Sequence, residues 1–341
     1  MGEWKECQLG DLIIFQRGHD LPKTKMQGGE YPVVGSNGII GYHNEYTTEA
    51  PSITIGRSGN VGKPFLFKGR SWSHNTSLYI KEYKAVDPIF IYYFLQTLDL
   101  GNYAGGSAVP TLNRNHIHTL NVYVPTDIAE QRKIGAVLSA IDDKIELNNA
   151  INENLEQQAH ALFKAWFVDF EPFGGVMPYD WNVGIVSDLS KEIICGKTPS
   201  TKKKEYYGNF MPFITIPDMH NCVYAISTER YLSELGAKSQ SKKTLPKNSI
   251  CVSCIGTAGL VVLVAVDSQT NQQINSIIPK DGYSPYYIYL FMQTLSEKIN
   301  RLGQSGSTIV NLNKAQFGIM EALVPSIVSM NEFDSICLLY T

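Results

Sequence analysis

Apolar and polar positions along this chain alternate in two similar blocks, with a different periodicity between them. In the first block, short strand-like runs at Tyr31–Val34, Ser52–Gly56, Lys63–Phe67 and Ser77–Ile80 are punctuated by Gly, Asn and Pro. A helix is predicted next, at about Asp87–Leu98, where Asp87-Pro88 starts it and Ile91, Phe94 and Leu95 share a face. The second block repeats that order with strands at Ile250–Ile255, Val261–Val266 and Ser276–Ile278, then a helix over Ser284–Arg301. Each block reads as an α+β domain of mainly antiparallel strands with helices packed on them.

Between the blocks, Ile128–Asp169 contains no Pro, and no Gly after Gly135. Leu138, Ile141, Ile145, Asn148, Asn152, Leu155, Ala159, Leu162 and Trp166 follow alternating spacings of three and four, the pattern of a coiled-coil seam. Asn148 and Asn152 admit two readings: polar seam residues that fix register, or solvent-facing residues of an ordinary helix. At 1.5 Å per residue the run spans about 60 Å. That is too long to be hidden inside either domain, so the stripe needs a partner.

The duplication is also visible residue by residue. Gly106–Pro125 (GSAVPTLNRNHIHTLNVYVP) recurs 200 residues later as Gly306–Pro325 (GSTIVNLNKAQFGIMEALVP). Ile91–Leu98 matches Ile288–Leu295 at six of eight positions. Two similar domains on a stiff spacer suggest a molecule that reads two similar things a fixed distance apart. The chain's 341 residues exceed the usual size of a single core, consistent with two domains. No stretch is apolar for long enough to cross a membrane, and the N-terminus lacks a signal-peptide core. Six cysteines without framework spacing fit a reducing cytoplasm. A net charge of −3 gives no global basic field, so nucleic-acid binding would need local patches or more positive partners.

Gly196–Thr201 (GKTPST), Tyr206-Tyr207-Gly208, Pro212–Asp218 (PFITIPD), Leu245–Gly259 (LPKNSICVSCIGTAG), Val324-Pro325 and Ile128–Ile134 (IAEQRKI) occur in an order that resembles the specificity subunits of type I restriction–modification systems. The resemblance spans essentially the whole chain. It implies a first target recognition domain over 1–125, a conserved spacer helix over 126–170, a second recognition domain over 171–325, and the start of a second conserved helix over 326–341. It further implies a non-catalytic, sequence-specific subunit that recognises a bipartite, gapped site in double-stranded DNA. Methyltransferase and restriction subunits would be its partners. S-adenosylmethionine, ATP and Mg would serve those partners, with no cofactor in this chain. The stretch Ser326–Thr341 starts like the family's second long helix, with Ile327, Met330, Phe333 and Ile336 at helical spacing, but stops after about four turns and lacks the EQ-x-x-I entry. Pairing of the long helix with that of a second copy of the chain is therefore a further expectation. The competing readings are a DNA methyltransferase or nuclease acting alone, and a non-functional remnant.

Catalytic signatures are weak. An Asn/Asp-Pro-Pro-aromatic loop is absent, and Gly56–Pro64 has the wrong spacing for a phosphate-binding loop, with Pro64 where a hydroxyl is needed. That glycine segment reads as a tight turn between strands, repeated at Gly256–Gly259. Cys251-x-x-Cys254 lies in an apolar strand pattern, which favours packing over metal binding. Candidate DNA contacts are loop residues that can donate to guanine edges, pair with adenine or hold phosphates. In the first half they are Arg17, Lys23, Lys25, Arg57, Ser58, Asn60, His74, Asn75 and Arg114. In the second they are Lys202, Lys203, Lys204, Lys242, Lys243, Thr257, Asn271, Gln272 and Lys314. Lys202–Lys204 reads either as a solvated loop or a phosphate clamp. His74-Asn75 and the aligned Asn271–Gln273 read either as contacts or as turn residues. Asn113 and Asn313 recur in both copies and read as structural. Gln131 and Arg132 belong to the helix entry or to methyltransferase docking.

Overall fold

A computed structural model describes residues 3–106, 110–304 and 312–337, and for residues 302–304 the backbone alone. The chain divides into two compact units, Met1–Ala150 and Ile151–Thr341.

In the first unit the central sheet has the strand order Ile13–Arg17, Ser77–Tyr83, Ser52–Gly56, Pro64–Phe67, antiparallel throughout. Ser52–Gly56 is buried on both faces. Ile53 and Ile55 join Leu9, Ile13, Phe15, Ile91 and Leu95 in the core. The opposite face is polar, and Ser52 Oγ meets its need through Ser71 Oγ at 2.6 Å. A second sheet orders Gly38–His43, Tyr31–Gly35 and Trp72–Ser73, and Trp4–Gln8 pairs with Asn121–Pro125. The helix Pro88–Gln96 packs on the core because Asp87 caps it, accepting from the N–H groups of Ile89 and Phe90 at 3.0 Å.

The second unit repeats this plan. Its central sheet runs Ser190–Cys195, Ile274–Pro279, Ile250–Ser253, Val261–Val264, with Tyr224–Ala225 added at the edge. The second sheet orders Tyr231–Leu232, Tyr207–Ile214 and Gln269–Thr270, and Asn182–Ile185 pairs with Glu321–Val324. Among the described residues three short strand pairs are parallel, one in the first unit and two in the second, and the other pairs are antiparallel, as the mainly antiparallel expectation has it. The helix expected over Ser284–Arg301 breaks at Leu295 into Pro285–Thr294 and Ser296–Gln304.

The long helix spans Ile128–Phe167, 40 residues. Asp127 caps its start, accepting from Ala129 N at 2.8 Å, and Phe170, with φ 54°, turns the chain away beyond its end. From Ala136 to Asn154 every residue except Ser139 and Asp142 is exposed. Leu138, Ile141, Ile145, Asn148 and Asn152 all lie in this exposed stretch, while Leu155 and Ala159 are half-buried. The seam ends earlier than its sequence spacing implied. Trp166 is buried in the second unit's own core with Phe163, Phe167, Trp181, Tyr287 and Phe333, and Leu162 packs against that cluster. Phe333 comes from the helix Ile327–Cys337, whose Met330 also faces inward, and its ring centroid lies 5.0 Å from that of Phe167. Ile336 packs on the same cluster, whereas Ile327 is exposed. The expected repeat segments at 107–109 and 305–311, and the last four residues, lie outside the described residues. No helix among the described residues is long and apolar enough to cross a membrane.

Candidate nucleic-acid interface

In the first unit, glycine geometry brings three loops together at one end of the central sheet. The strand Ile13–Arg17 ends at Gly18, where a Cβ would stand 2.1 Å from His74 O. Only glycine allows that approach. His19 N donates to Ser73 O at 2.7 Å, and Arg57 N donates to Thr76 O at 2.8 Å. The segment Arg57–Lys63 is the tight turn expected from the sequence, with Gly59 and Gly62 at positive φ. Leu112 N then donates to Arg57 O at 2.9 Å, tying in the loop that leads to the short helix Arg114–His118.

The result is a concavity of about 510 Å³ lined by Arg17, Arg57 and Arg114, together with Asn113, His116 and Thr111. Three of the sequence candidates thus converge on one recess. Arg17 lies 4.0 Å from Asp20, an exposed and therefore weak pair. Asn75 links the two sides: its side-chain amide donates to Asp20, and its backbone carbonyl accepts from Arg57 Nη1 at 3.5 Å. His74 is held within its own turn, with Nδ1 3.0 Å from Thr76 Oγ1. Asn113 caps the short helix, as its recurrence suggested. Behind the recess, His118 Nε2 accepts from Phe15 N at 2.9 Å. Burial first, then the positive charges of Arg114 and Lys84, push the His118 imidazole below its ordinary pKa and keep it neutral. His116 lines the recess and was not singled out from the sequence; its only signal was its place two residues after Arg114. Ser58 and Asn60 lie on the adjoining turn, while Lys23 and Lys25 form an exposed 3-10 turn outside the recess.

The second unit has the same backbone arrangement with different side chains. Gly196 repeats Gly18, since a Cβ there would stand 2.1 Å from Asn271 O. Gly256 and Gly259 repeat Gly59 and Gly62 in positive φ. Leu312 N donates to Cys254 O at 3.0 Å, as Leu112 does to Arg57 O. Asn313 caps Lys314–Gly318. By this correspondence Arg17, Arg57 and Arg114 are matched by Cys195, Cys254 and Lys314. Asn271 is buried and closes its own turn through Gln273 N at 3.0 Å, while exposed Gln272 accepts from Thr198 Oγ1 at 2.6 Å. Thr257 is exposed on the glycine turn.

Cys251 and Cys254 belong to different core clusters, Cys251 with Ile214 and Val264, Cys254 with Leu263 and Ile277. Burial pushes their thiols up to about 12 and about 11, which suits packing residues. Lys202, Lys203 and Lys204 are exposed, and Lys203 stacks on the Tyr206 ring at 4.9 Å. Lys242 and Lys243 lie in the turn Ser241–Lys243, directly after the helix Glu234–Ser239 that packs on the Lys204–Tyr206 turn. Two buried glutamines anchor this region: Gln240 Nε2 donates to Gln269 Oε1 at 2.8 Å.

At the helix entry, Gln131 is buried. It accepts from Asp87 N at 2.8 Å and donates to Pro125 O at 2.9 Å, so it fixes the helix to the first unit. Arg132 is exposed, 3.7 Å from Asp87.

The family model for the type I restriction modification DNA specificity domain matches residues 1–157 and again 178–326. The chain belongs to that family. It is similar to the HindI specificity subunit of Haemophilus influenzae, 36% identical over 285 residues, which are 64% of this chain and 62% of that one. The MjaIX specificity subunit of Methanocaldococcus jannaschii is 36% identical over 166 residues, 47% of this chain and 38% of that one. The chain thus spans between about two fifths and three fifths of the length of these relatives. Among solved structures, the type I restriction–modification S subunit of M. genitalium has the same fold, with a TM-score of 0.72 at 16% identity, covering 99% of this chain and 89% of that one. Each of the two matched stretches contains the central sheet of one unit.

Proposed function

We propose that the chain is the DNA-recognition subunit of a type I restriction–modification complex, binding a bipartite, gapped duplex site with one domain per half-site. The observation that carries this reading is the repeated order of the four central strands, whose two loop ends share backbone geometry and differ in side chains. A duplicated scaffold with divergent loops suits the reading of two different half-sites. Membership of the specificity-domain family and the names of the relatives support it. Adenine methylation and DNA cleavage, with S-adenosylmethionine, ATP and Mg, are assigned to methyltransferase and restriction subunits, and the chain to the cytoplasm. The exposed stripe of Leu138, Ile141 and Ile145 is the docking face proposed for the methyltransferase.

The test is methylation of duplex DNA by the cognate methyltransferase with and without this chain. The expected result is site-specific methylation only when both are present, with neither modification nor cutting by the chain alone in S-adenosylmethionine and magnesium. Methylation or cutting by the purified chain would instead establish the stand-alone enzyme. Failure to stimulate or co-purify with the methyltransferase would favour the remnant.

A further inference from the structure

The loop ends of the two domains differ in charge at equivalent positions. The first carries three guanidinium groups around one recess; the second carries Cys195, Cys254 and Lys314. Each guanidinium presents up to five N–H donors and no acceptor. Among the described residues Arg57 and Arg114 pair with no carboxylate, and the bond from Arg57 to the Asn75 carbonyl, at 3.5 Å, is at the limit of a hydrogen bond. Asp20, the acid paired with Arg17, is also occupied by the Asn75 amide. Among the described residues no carboxylate other than Asp20 pairs with these three guanidinium groups, so the recess carries an excess of positive charge.

Resting on the DNA-recognition reading above, we propose that the Arg17–Arg57–Arg114 recess seats a backbone phosphate of the DNA strand, and that the homologous place in the second domain does not. The shape decides between a phosphate and a base. A guanine edge lies at the floor of the major groove and is reached by a projecting side chain. The phosphate ridge is the convex part of the duplex, and it fits a concave wall of guanidinium groups whose paired N–H donors match its oxygens. Arg57 is half-buried, and its backbone is fixed by Thr76 and Leu112, so it is positioned before DNA arrives. In the second domain the matching Cys254 is 1% exposed, and a neutral buried thiol cannot hold an anion. The first domain thus holds a phosphate at this place, while the second keeps only Lys314 there and carries its other exposed cations elsewhere, at Lys202–Lys204 and Lys242.

The experiment measures affinity of the full chain, with its methyltransferase, for a site-bearing duplex and an unrelated duplex across a series of NaCl concentrations. Arg57→Gln and Arg114→Gln are each expected to weaken both duplexes by the same factor, roughly three- to tenfold, and to lower the slope of log affinity against log salt by up to about one, the share of a single phosphate. Lys314→Gln, at the position matching Arg114, is expected to leave the slope unchanged; a fall like that of Arg114→Gln would overturn the difference between the two domains. Arg114 is exposed, so its variant keeps the test open should Arg57→Gln fold poorly. An unchanged slope in both arginine variants would overturn the phosphate seat. So would a loss confined to the site-bearing duplex, which would mean base reading. If the parent chain binds neither duplex, the recognition function itself fails, and that failure is visible before any variant is made.

Discussion

The two domains share a scaffold down to single hydrogen bonds, yet differ in the positive charge they carry at their loop ends. Both central sheets run in the same strand order, both place a glycine against a carbonyl at the end of the first strand, and both tie a leucine N–H to the residue after the third. The first then offers arginines where the second offers cysteines and one lysine. The lesson is that the repeat has held the parts that determine backbone path and released the parts that face a ligand. The supports also differ: the first unit fixes its helix entry with a buried glutamine, whereas the second builds a mesh of aromatic rings around Phe333.

The largest expected effect probes that mesh. Phe333→Ala removes a fully buried ring touching Phe163, Trp166 and Phe167, and should destabilise the second unit by about 3–5 kcal/mol. Unfolding should be followed with probes for each unit, since a two-domain chain need not unfold in one step. A loss shared equally by the first unit would mean that the units are not energetically separate. Next in size are the paired glycines. Gly18→Ala and Gly196→Ala should each cost about 1–3 kcal/mol, each in its own unit, because the new methyl meets a backbone carbonyl that cannot withdraw. Markedly unequal costs would show that the shared backbone geometry is not shared in energy.

The smallest effect is the pH dependence that His118 gives the first unit. His118 is neutral as an acceptor for Phe15 N, with its folded pKa below the ordinary 6.5. The unfolded chain therefore binds a proton first as pH falls. Stability from this group is complete above about pH 6.5 and is lost below it, down through the folded pKa. The second unit has Gly318 at the equivalent place and should show no such term. His118→Gln should flatten the difference between the units' pH profiles, measured by denaturant midpoints at pH 5 to 8; a profile unchanged by the substitution would remove His118 as the cause.

Much of the architecture was legible in the sequence, because its signals are local. Ser52–Gly56 alternates and is bounded by Pro51 and a glycine turn, and it forms the strand with those limits. Asp87-Pro88 marks a helix start by capping chemistry, and Asp87 caps; Asn113, read as structural from its recurrence alone, caps a short helix that the sequence pattern did not announce. The break at Leu295 carried no Gly or Pro to announce it. The parallel pairs depend on long-range placement that periodicity does not encode. The end of the seam was misplaced for a related reason: Trp166 continues the spacing, but helical periodicity is the same whether a stripe faces a partner helix or its own domain's core. At the candidate site, Arg17, Arg57 and Arg114 were each named for their chemistry. Their convergence was not legible, because it is set by Gly18 and the Thr76 carbonyl, which join segments far apart in the chain. The contrast with Cys195 and Cys254 required the hydrogen-bond correspondence of Leu112 and Leu312.

The measurement that bears most directly on the central claim is selection from random duplexes by the chain assembled with its methyltransferase, with sequencing of what is retained. The expected result is a motif in two unlike parts separated by bases of no preference, with Lys202–Lys204 and Lys242-Lys243 substitutions affecting retention without altering the first part. A single contiguous motif, or two identical halves, would contradict the assignment of one distinct half-site to each domain.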